Sequence, residues 1–290
     1  MRKMALLALA VCLHGMVLAQ PANMPPAIYT DPLRDAAHPA RMEVLHIPSE
    51  DVSINGLAYL AAGAGPHPTV IICHGLPGNE KNLDLAQAVR RAGWNAITFN
   101  YRGSWGSPGA YRFSQNPDDA QAVLAFLRKP ENARSYGIDA SRIAIVGHSM
   151  GGWVAATVGG RDTGLLGVGM ISSANMGRRG AQAPAEVLQL MEENRESLVG
   201  VTPESMAKEA IENRDKFNFL RAAPELATKP VLILTSDDGL APDSQELAEA
   251  IRAAHGRKLT AQHVSTDHSW SDRRILLQAT IINWLNTLKR

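Results

Sequence analysis

Five consecutive residues carry the strongest chemical signal in the chain: Gly147-His148-Ser149-Met150-Gly151. They follow the apolar run 142–146 (RIAIV), which predicts a buried strand, and a helix is expected from Met150 onward. Strand and helix cross closely at so sharp a turn, so small residues are needed two positions before and two after the serine, and Gly152 extends the clearance. Ser149 is expected in a strained backbone conformation that lifts its hydroxyl clear of the turn. At the helix N-terminus the Met150 N–H is free to donate to negative charge developing beside that hydroxyl. The pattern is that of a nucleophile with one anion-stabilising donor already in place.

A serine hydroxyl is a poor nucleophile at its free pKa and needs a base, which in turn needs a group to orient it. Among the nine histidines, His255 lies before Gly256 at a helix end and reads as an end-capping residue, while His263 lies inside a strand. His268 alone emerges from a strand end into a loop that leads to a helix. His74 and His148 adjoin the site in sequence and read as packing and loop-bonding groups. Asp237 and Asp238 follow the apolar run 231–235 (VLILT), and the residues themselves leave both open as the acid. Asp243 reads as a helix start. Asp267 is badly placed to accept from the ring of its own neighbour and is expected to brace its loop. No helical His-x-x-x-His pair stands near a glutamate, and phosphate and dinucleotide motifs are missing, so neither metal nor cofactor is expected.

Positioning these groups requires an alternation of strands and helices. Strands are expected at 43–47, 53–61, 69–73 (TVIIC), 96–100, 142–146, 167–171, 231–235 and 259–264, with Asn55-Gly56 marking a bulge or bend. Helices are expected at 83–92, at 116–128 with Asn116 as N-cap and Pro117 at the first position, from Met150, at 243–254 and at 271–288. Such alternation means a mostly parallel sheet with helices on both faces. About 58 residues between the strands near Ser172 and Val231 interrupt it with two helical patterns and no strand. One follows Pro184 with Val187, Leu188, Met191 and Leu198 to one side, and the other follows Thr202-Pro203-Glu204 and buries Met206, Ala210 and Ile211. This stretch, at about 176–224, reads as an inserted helical cap.

Four ordered motifs resemble the α/β-hydrolase superfamily of serine hydrolases over essentially all of 43–290. His74-Gly75-Leu76-Pro77-Gly78 resembles the family's oxyanion loop, which implies the Leu76 N–H as a second donor beside Met150. Residues 101–107 (YRGSWGS) resemble the loop whose Arg and Gly brace the site in many members, here Arg102 and Gly103, with His74, Gly75, Gly147 and Gly151 further bracing positions. The sequence 147–152 (GHSMGG) is the elbow. Family members have an Asp followed four residues later by Pro, which fits Asp238 and Pro242 and implies the triad Ser149, Asp238 and His268. The fold permits many chemistries, so the family alone does not fix the substrate, and it is the helical cap that favours hydrolysis of carboxylic esters with a small or medium acyl group. Prolyl-oligopeptidase-like peptidases share the elbow and the ending 267–274, so a peptidase or acyl-peptide hydrolase is the alternative, although the chain lacks room for their propeller domain. An exopeptidase would also need carboxylates to hold an ammonium; Glu192 and Glu193 are candidates, but their charge-rich surroundings read as a solvated helix face. A silent hydrolase fold used for binding is a more remote reading.

The chain has 290 residues, with 29 Lys plus Arg against 28 Asp plus Glu and 45% apolar residues. That balance gives no basic surplus for nucleic acid. Arg2 and Lys3 precede the apolar run 4–13, and Ala19 supplies a small final residue, so 1–19 read as a secretory signal destined for the periplasm or exterior. The run is interrupted by His14 and Gly15, and no stable membrane insertion is expected after cleavage. A lipoprotein anchor at Cys12 would want a small residue where Val11 stands. Cleavage would remove Arg2, Lys3 and Cys12, leaving 27 basic residues against 28 acidic and Cys73 as the one thiol. Residues 20–40 carry five prolines and read as an extended surface leader.

Overall fold

The computed structural model describes residues 24–288, so the expected signal segment lies outside the described residues. The chain runs β1 (Arg41–Ser49), β2 (Val52–Leu60), β3 (His67–Cys73), α1 (Leu83–Arg91), β4 (Asn95–Phe99), α2 (Asn116–Arg128), α3 (Pro130–Tyr136), β5 (Ile138–His148), α4 (Met150–Arg161) and β6 (Val168–Ile171). After these come α5 (Met176–Gly180), α6 (Pro184–Glu193), α7 (Pro203–Glu212) and α8 (Ala223–Leu226), then β7 (Val231–Thr235), α9 (Ala241–Ala253), β8 (Leu259–His263) and α10 (Arg274–Thr287). The strands form one sheet in the order β1-β2-β4-β3-β5-β6-β7-β8. Pairing is antiparallel for β1–β2 and β2–β4 and parallel from β4 through β8.

The central strands are apolar throughout because both faces are covered. Ile71 and Cys73 of β3, with Ile143 and Ile145 of β5, point into one core layer, and Val70, Ile72, Ala144 and Val146 point into the other. The outer strand β1 instead alternates exposed and buried residues, as a half-covered strand must. Helix α4 is buried almost all round, which is why its residues are apolar or small on every side.

Several boundaries differ from the sequence reading. Asn55-Gly56 makes no bulge: β2 pairs continuously with β1, and Gly56 is small because a Cβ there would come within 3.1 Å of Ile47 Cδ1 and the Thr98 carbonyl. Asn116 is already helical and caps nothing; its amide donates to the Tyr111 hydroxyl at 2.9 Å inside the core. Helix α9 starts before Asp243, whose carboxylate lies 3.5 Å from Arg179, and α10 starts at Arg274 rather than Ser271. Helix α3 has too few apolar residues to show a period, and β5 begins at Ile138, four residues before its apolar run. The leader carries a short helical turn at Pro26–Ile28 and is held to α1 by Arg91 Nε donating to the Ala27 carbonyl at 2.7 Å.

The stretch between β6 and β7 is helical, as its pattern indicates. Helices α6 and α7 pack on each other, burying Val187, Met191, Met206 and Ala210. A capping box between Thr202 and Ser205 starts α7. Leu198 lies beyond α6, in a loop that bridges to Ser104. There Val199 N–H donates to Gly103 O and Tyr111 N–H to Val199 O, both at 2.8 Å, while Glu209 accepts from the N–H groups of Phe113 and Ser114. The helical insertion is thereby tied to the loop after β4.

That loop is anchored in turn by a buried ion pair. Asp119 of α2 is fully buried and accepts from Arg102 Nε at 2.7 Å, Arg102 N–H at 2.9 Å and Ser49 Oγ at 2.6 Å. Burial pushes the Asp119 carboxyl above its ordinary value, opposed by the Ser49 and Arg102 donors, which favour the charged form. Asp119→Ala strands a buried guanidinium and is expected to cost about 3–5 kcal/mol in urea unfolding. Asp119→Asn, which retains an acceptor, should lose less; equal stability of wild type and Asp119→Ala would show that the pair does not anchor the loop.

Candidate functional site

The elbow is built by close approach of backbone. A Cβ on Gly147 would fall 1.9 Å from the Gly151 carbonyl oxygen, and one on Gly151 would fall 2.2 Å from that of Cys73. Only glycine lets the first turn of α4 settle onto the ends of β5 and β3. Ser149 between them has φ 56° and ψ −124°, the strained conformation expected of it. It is clamped there by its N–H donating to Ile171 O at 2.9 Å and by its carbonyl accepting from Gly152 N–H and Ala174 N–H.

Gly75 faces the serine from the loop after β3: a Cβ on it would lie 2.9 Å from Ser149 Cβ and 3.4 Å from Oγ. The next N–H, that of Leu76, makes no hydrogen bond among the described residues. Met150 opens α4, where helix geometry leaves the first N–H groups without intrahelical acceptors. The loop holding Leu76 is fixed by His74, whose Nδ1–H donates to Gly75 O at 2.8 Å and whose carbonyl accepts from Tyr101 Oη. From outside, Trp105 Nε1 donates to Pro77 O at 2.6 Å, with the Lys81 ammonium 4.1 Å from the centre of its ring. Arg102 makes its hydrogen bonds to Asp119 of α2, not to the serine loop.

Two further loops meet the elbow. After β7, Asp238 lies almost wholly buried, its Oδ2 2.7 Å from His268 Nδ1 and its Oδ1 accepting Leu240 N–H at 2.9 Å. Burial raises the Asp238 carboxyl, but His268, the Leu240 N–H and the Ser236 hydroxyl outweigh it and hold the group below its ordinary value. The His268 side chain is 38% exposed. Its backbone carbonyl accepts from His148 Nε2 at 2.8 Å, and the two rings stand 4.7 Å apart, which sets the histidine loop against the elbow.

The neighbouring acids take other partners. Asp237 points away, with His263 Nε2 at 2.9 Å and Ser265 Oγ at 2.5 Å, and these bonds lower its pKa. Asp267 accepts Ser271 N–H at 2.7 Å within its own loop. The structure thus brings Ser149, Gly75, Leu76, Met150, Asp238 and His268 to one end of the sheet. A cavity of about 560 Å³, lined by His38, Leu60, His67, Tyr136 and Ile138, lies at the opposite end, where β3 and β5 begin, and is lined by none of these groups. Sequence reasoning did not single out Ser172, Ser236 or Trp270, which form a buried hydrogen-bonded chain behind Asp238. Their sole local signal is a small polar residue at the end of each of two strands.

The family model for the "Alpha/beta hydrolase family" matches residues 70–275. The chain belongs to that family. An uncharacterised Mycobacterium tuberculosis (strain H37Rv) protein is 28% identical over 125 residues, which is 43% of this chain and 43% of that protein, so the likeness spans under half of the relative's length. Among solved structures, a Pyrobaculum calidifontis esterase superposes with TM-score 0.68 at 18% identity, covering 87% of this chain and 88% of that one. A Pyrococcus horikoshii acylaminoacyl peptidase superposes with TM-score 0.65 at 16% identity, covering 85% of this chain and 41% of that one.

Two histidines at the site carry a pH signature. Burial pushes both His74 and His148 down to about 4, with the neighbouring His268 lowering His148 further. The unfolded chain, with ordinary histidines, binds more protons between their two pKa values, so stability rises with pH from about 4 to 6.5. Each buried imidazole contributes on the order of 3 kcal/mol to that slope. Urea unfolding from pH 7 to 4.5 should therefore show falling stability, with a shallower fall in His74→Gln; an unchanged slope in the variant would contradict a neutral buried His74.

Proposed function

We propose that this protein is a serine hydrolase that cleaves carboxylic esters through an acyl-enzyme. The reading is carried by the 2.7 Å Asp238–His268 pair together with a serine at positive φ on a strand-to-helix turn, whose preceding residue His148 bonds to the His268 carbonyl. Asp238 fixes the imidazole with its Nδ1–H toward the carboxylate, which leaves Nε2 as the base. Nε2 takes the Ser149 proton as Oγ attacks the substrate carbonyl, and Asp238 stabilises the imidazolium. The Leu76 and Met150 N–H groups receive the oxyanion, each such donor contributing on the order of 10²- to 10³-fold. The imidazolium then protonates the leaving alcohol, and water, deprotonated by His268, releases the acid.

Hydrolysis of amides by the same groups is the second reading, and the likeness to an acylaminoacyl peptidase favours keeping it in the test. The candidate carboxylates for a substrate ammonium, Glu192 and Glu193, are both exposed at the end of α6, and Glu193 accepts from Gln189. Solvated carboxylates of this kind are poor anchors for a small ammonium. Ester cleavage is accordingly preferred. The basic and apolar start of the sequence supports export as the setting of this activity.

The test is kcat/KM on aryl esters of increasing acyl length and on aminoacyl anilides. Ser149→Ala and His268→Ala should each lose at least about 10⁴-fold. Asp238→Ala should lose far more than Asp237→Ala. Ester turnover should exceed anilide turnover, with shorter acyl groups preferred over long ones. Retention of activity in Ser149→Ala would refute the triad, and faster anilide than ester turnover would select the peptidase.

A further inference from the structure

The residue before the serine is bonded to the peptide of the histidine. His148 closes β5, and its Nε2 lies 2.8 Å from the backbone carbonyl oxygen of His268, 120 residues further along the chain. The two ring centres are 4.7 Å apart, with the planes inclined by 43°. His148 itself is buried.

The acceptor fixes the tautomer. A carbonyl oxygen can only accept, so the proton of a neutral His148 sits on Nε2. Nδ1 is then a bare lone pair, buried with no hydrogen-bond partner among the described residues. A proton added there would be a buried donor without an acceptor. The charges of His268 and Arg274 also oppose it and that of Asp238 favours it, with burial the largest influence on a group held down at about 4. His148 therefore works as a neutral donor.

The loop around His268 has other anchors, each on a different residue. Asp237 N–H donates to Thr266 O at 3.0 Å, Arg274 Nη1 to Ser269 O at 3.0 Å and Trp270 Nε1 to Ser172 Oγ at 2.9 Å. Among the described residues, the bond from His148 is the only one made to a backbone group of His268. Asp238 grips the ring, at Nδ1, but it arrives on a loop of its own from β7. A carboxylate and an imidazole joined to each other can still shift together relative to the serine. His148 cannot, because β5 pairs it with Ile171 and Gly147 and Gly151 pack backbone on backbone beside it.

We infer that His148 is a positioning residue whose Nε2–H holds the His268 peptide at the spacing from Ser149 that proton transfer requires. This rests on the triad proposed above. Asp238 sets how the imidazole is turned, and His148 sets where its backbone stands. Loss of the donor lets the base drift from the hydroxyl while the substrate pocket and the elbow keep their form. Since His268 serves as base in both half-reactions, acylation and deacylation slow together.

The experiment measures kcat and KM on an aryl acetate, and the rate of fluorophosphonate labelling, for wild type, His148→Gln and His148→Met. Gln offers an amide N–H near the reach of Nε2, and Met has a similar length without a donor. His148→Met should lose on the order of 10²-fold in kcat with KM within about 2-fold of wild type, and its labelling should slow by a similar factor. His148→Gln should recover both to within about 10-fold of wild type. Wild-type kcat in folded His148→Met, equal losses in the two variants, or a change confined to KM would overturn the inference and leave His148 as packing. If His148→Met fails to fold by circular dichroism, His148→Gln decides, and a loss beyond about 10-fold in that variant overturns it. Ser149→Ala treated alongside keeps the two readings apart, since equal labelling of that variant refutes the triad whatever the His148 variants do.

Discussion

The structure depends on how closely the first turn of α4 can approach the ends of β3 and β5. Gly147 and Gly151 set that distance, because a single methyl at either would overlap backbone atoms of the neighbouring segment. Backbone atoms cannot be moved aside as a flexible side chain can. The approach forces Ser149 into positive φ, brings Gly75 against its Cβ, and aims the N-terminus of α4 at the space beside Oγ. Loops from β3, β7 and β8 then need only meet at one sheet end, and a parallel sheet delivers them there.

Electrostatics at that end follow from what each group is allowed to be. His148 lies between the serine and the His268 loop, and burial keeps it neutral, so it adds no charge that would oppose an imidazolium 4.7 Å away. His74 is neutral for the same reason and serves the oxyanion loop through its donor alone. Asp238 is the charged member and is surrounded by donors, whereas Asp237 spends its oxygens on His263 and Ser265 at the exposed rim. Two adjacent aspartates in the loop past Thr235, the last residue of β7, thus take different partners.

The alternation of apolar strands and helices, the elbow and the histidine at a strand end were legible in the sequence because each rests on local spacing. The eight-stranded sheet and its helical insertion follow that pattern closely. The choice between Asp237 and Asp238 rested on a family resemblance, and the structure places Asp238 against His268. What the sequence concealed was long-range. Asn116 looks like a helix cap until the Tyr111 hydroxyl is brought to it, and Asp119 looks like a first-turn acid until Arg102 arrives from another loop. Trp270 and Ser172 are 98 residues apart, and no periodicity pairs them.

The central claim is that Ser149 is a nucleophile made reactive by His268. Intact-mass and peptide-mapping analysis of the protein after brief exposure to a fluorophosphonate tests it most directly. A single phosphonyl adduct on the peptide containing Ser149, formed slowly or not at all in folded His268→Ala, is the result expected. An adduct on another residue, or labelling of Ser149 at an equal rate without His268, would contradict it.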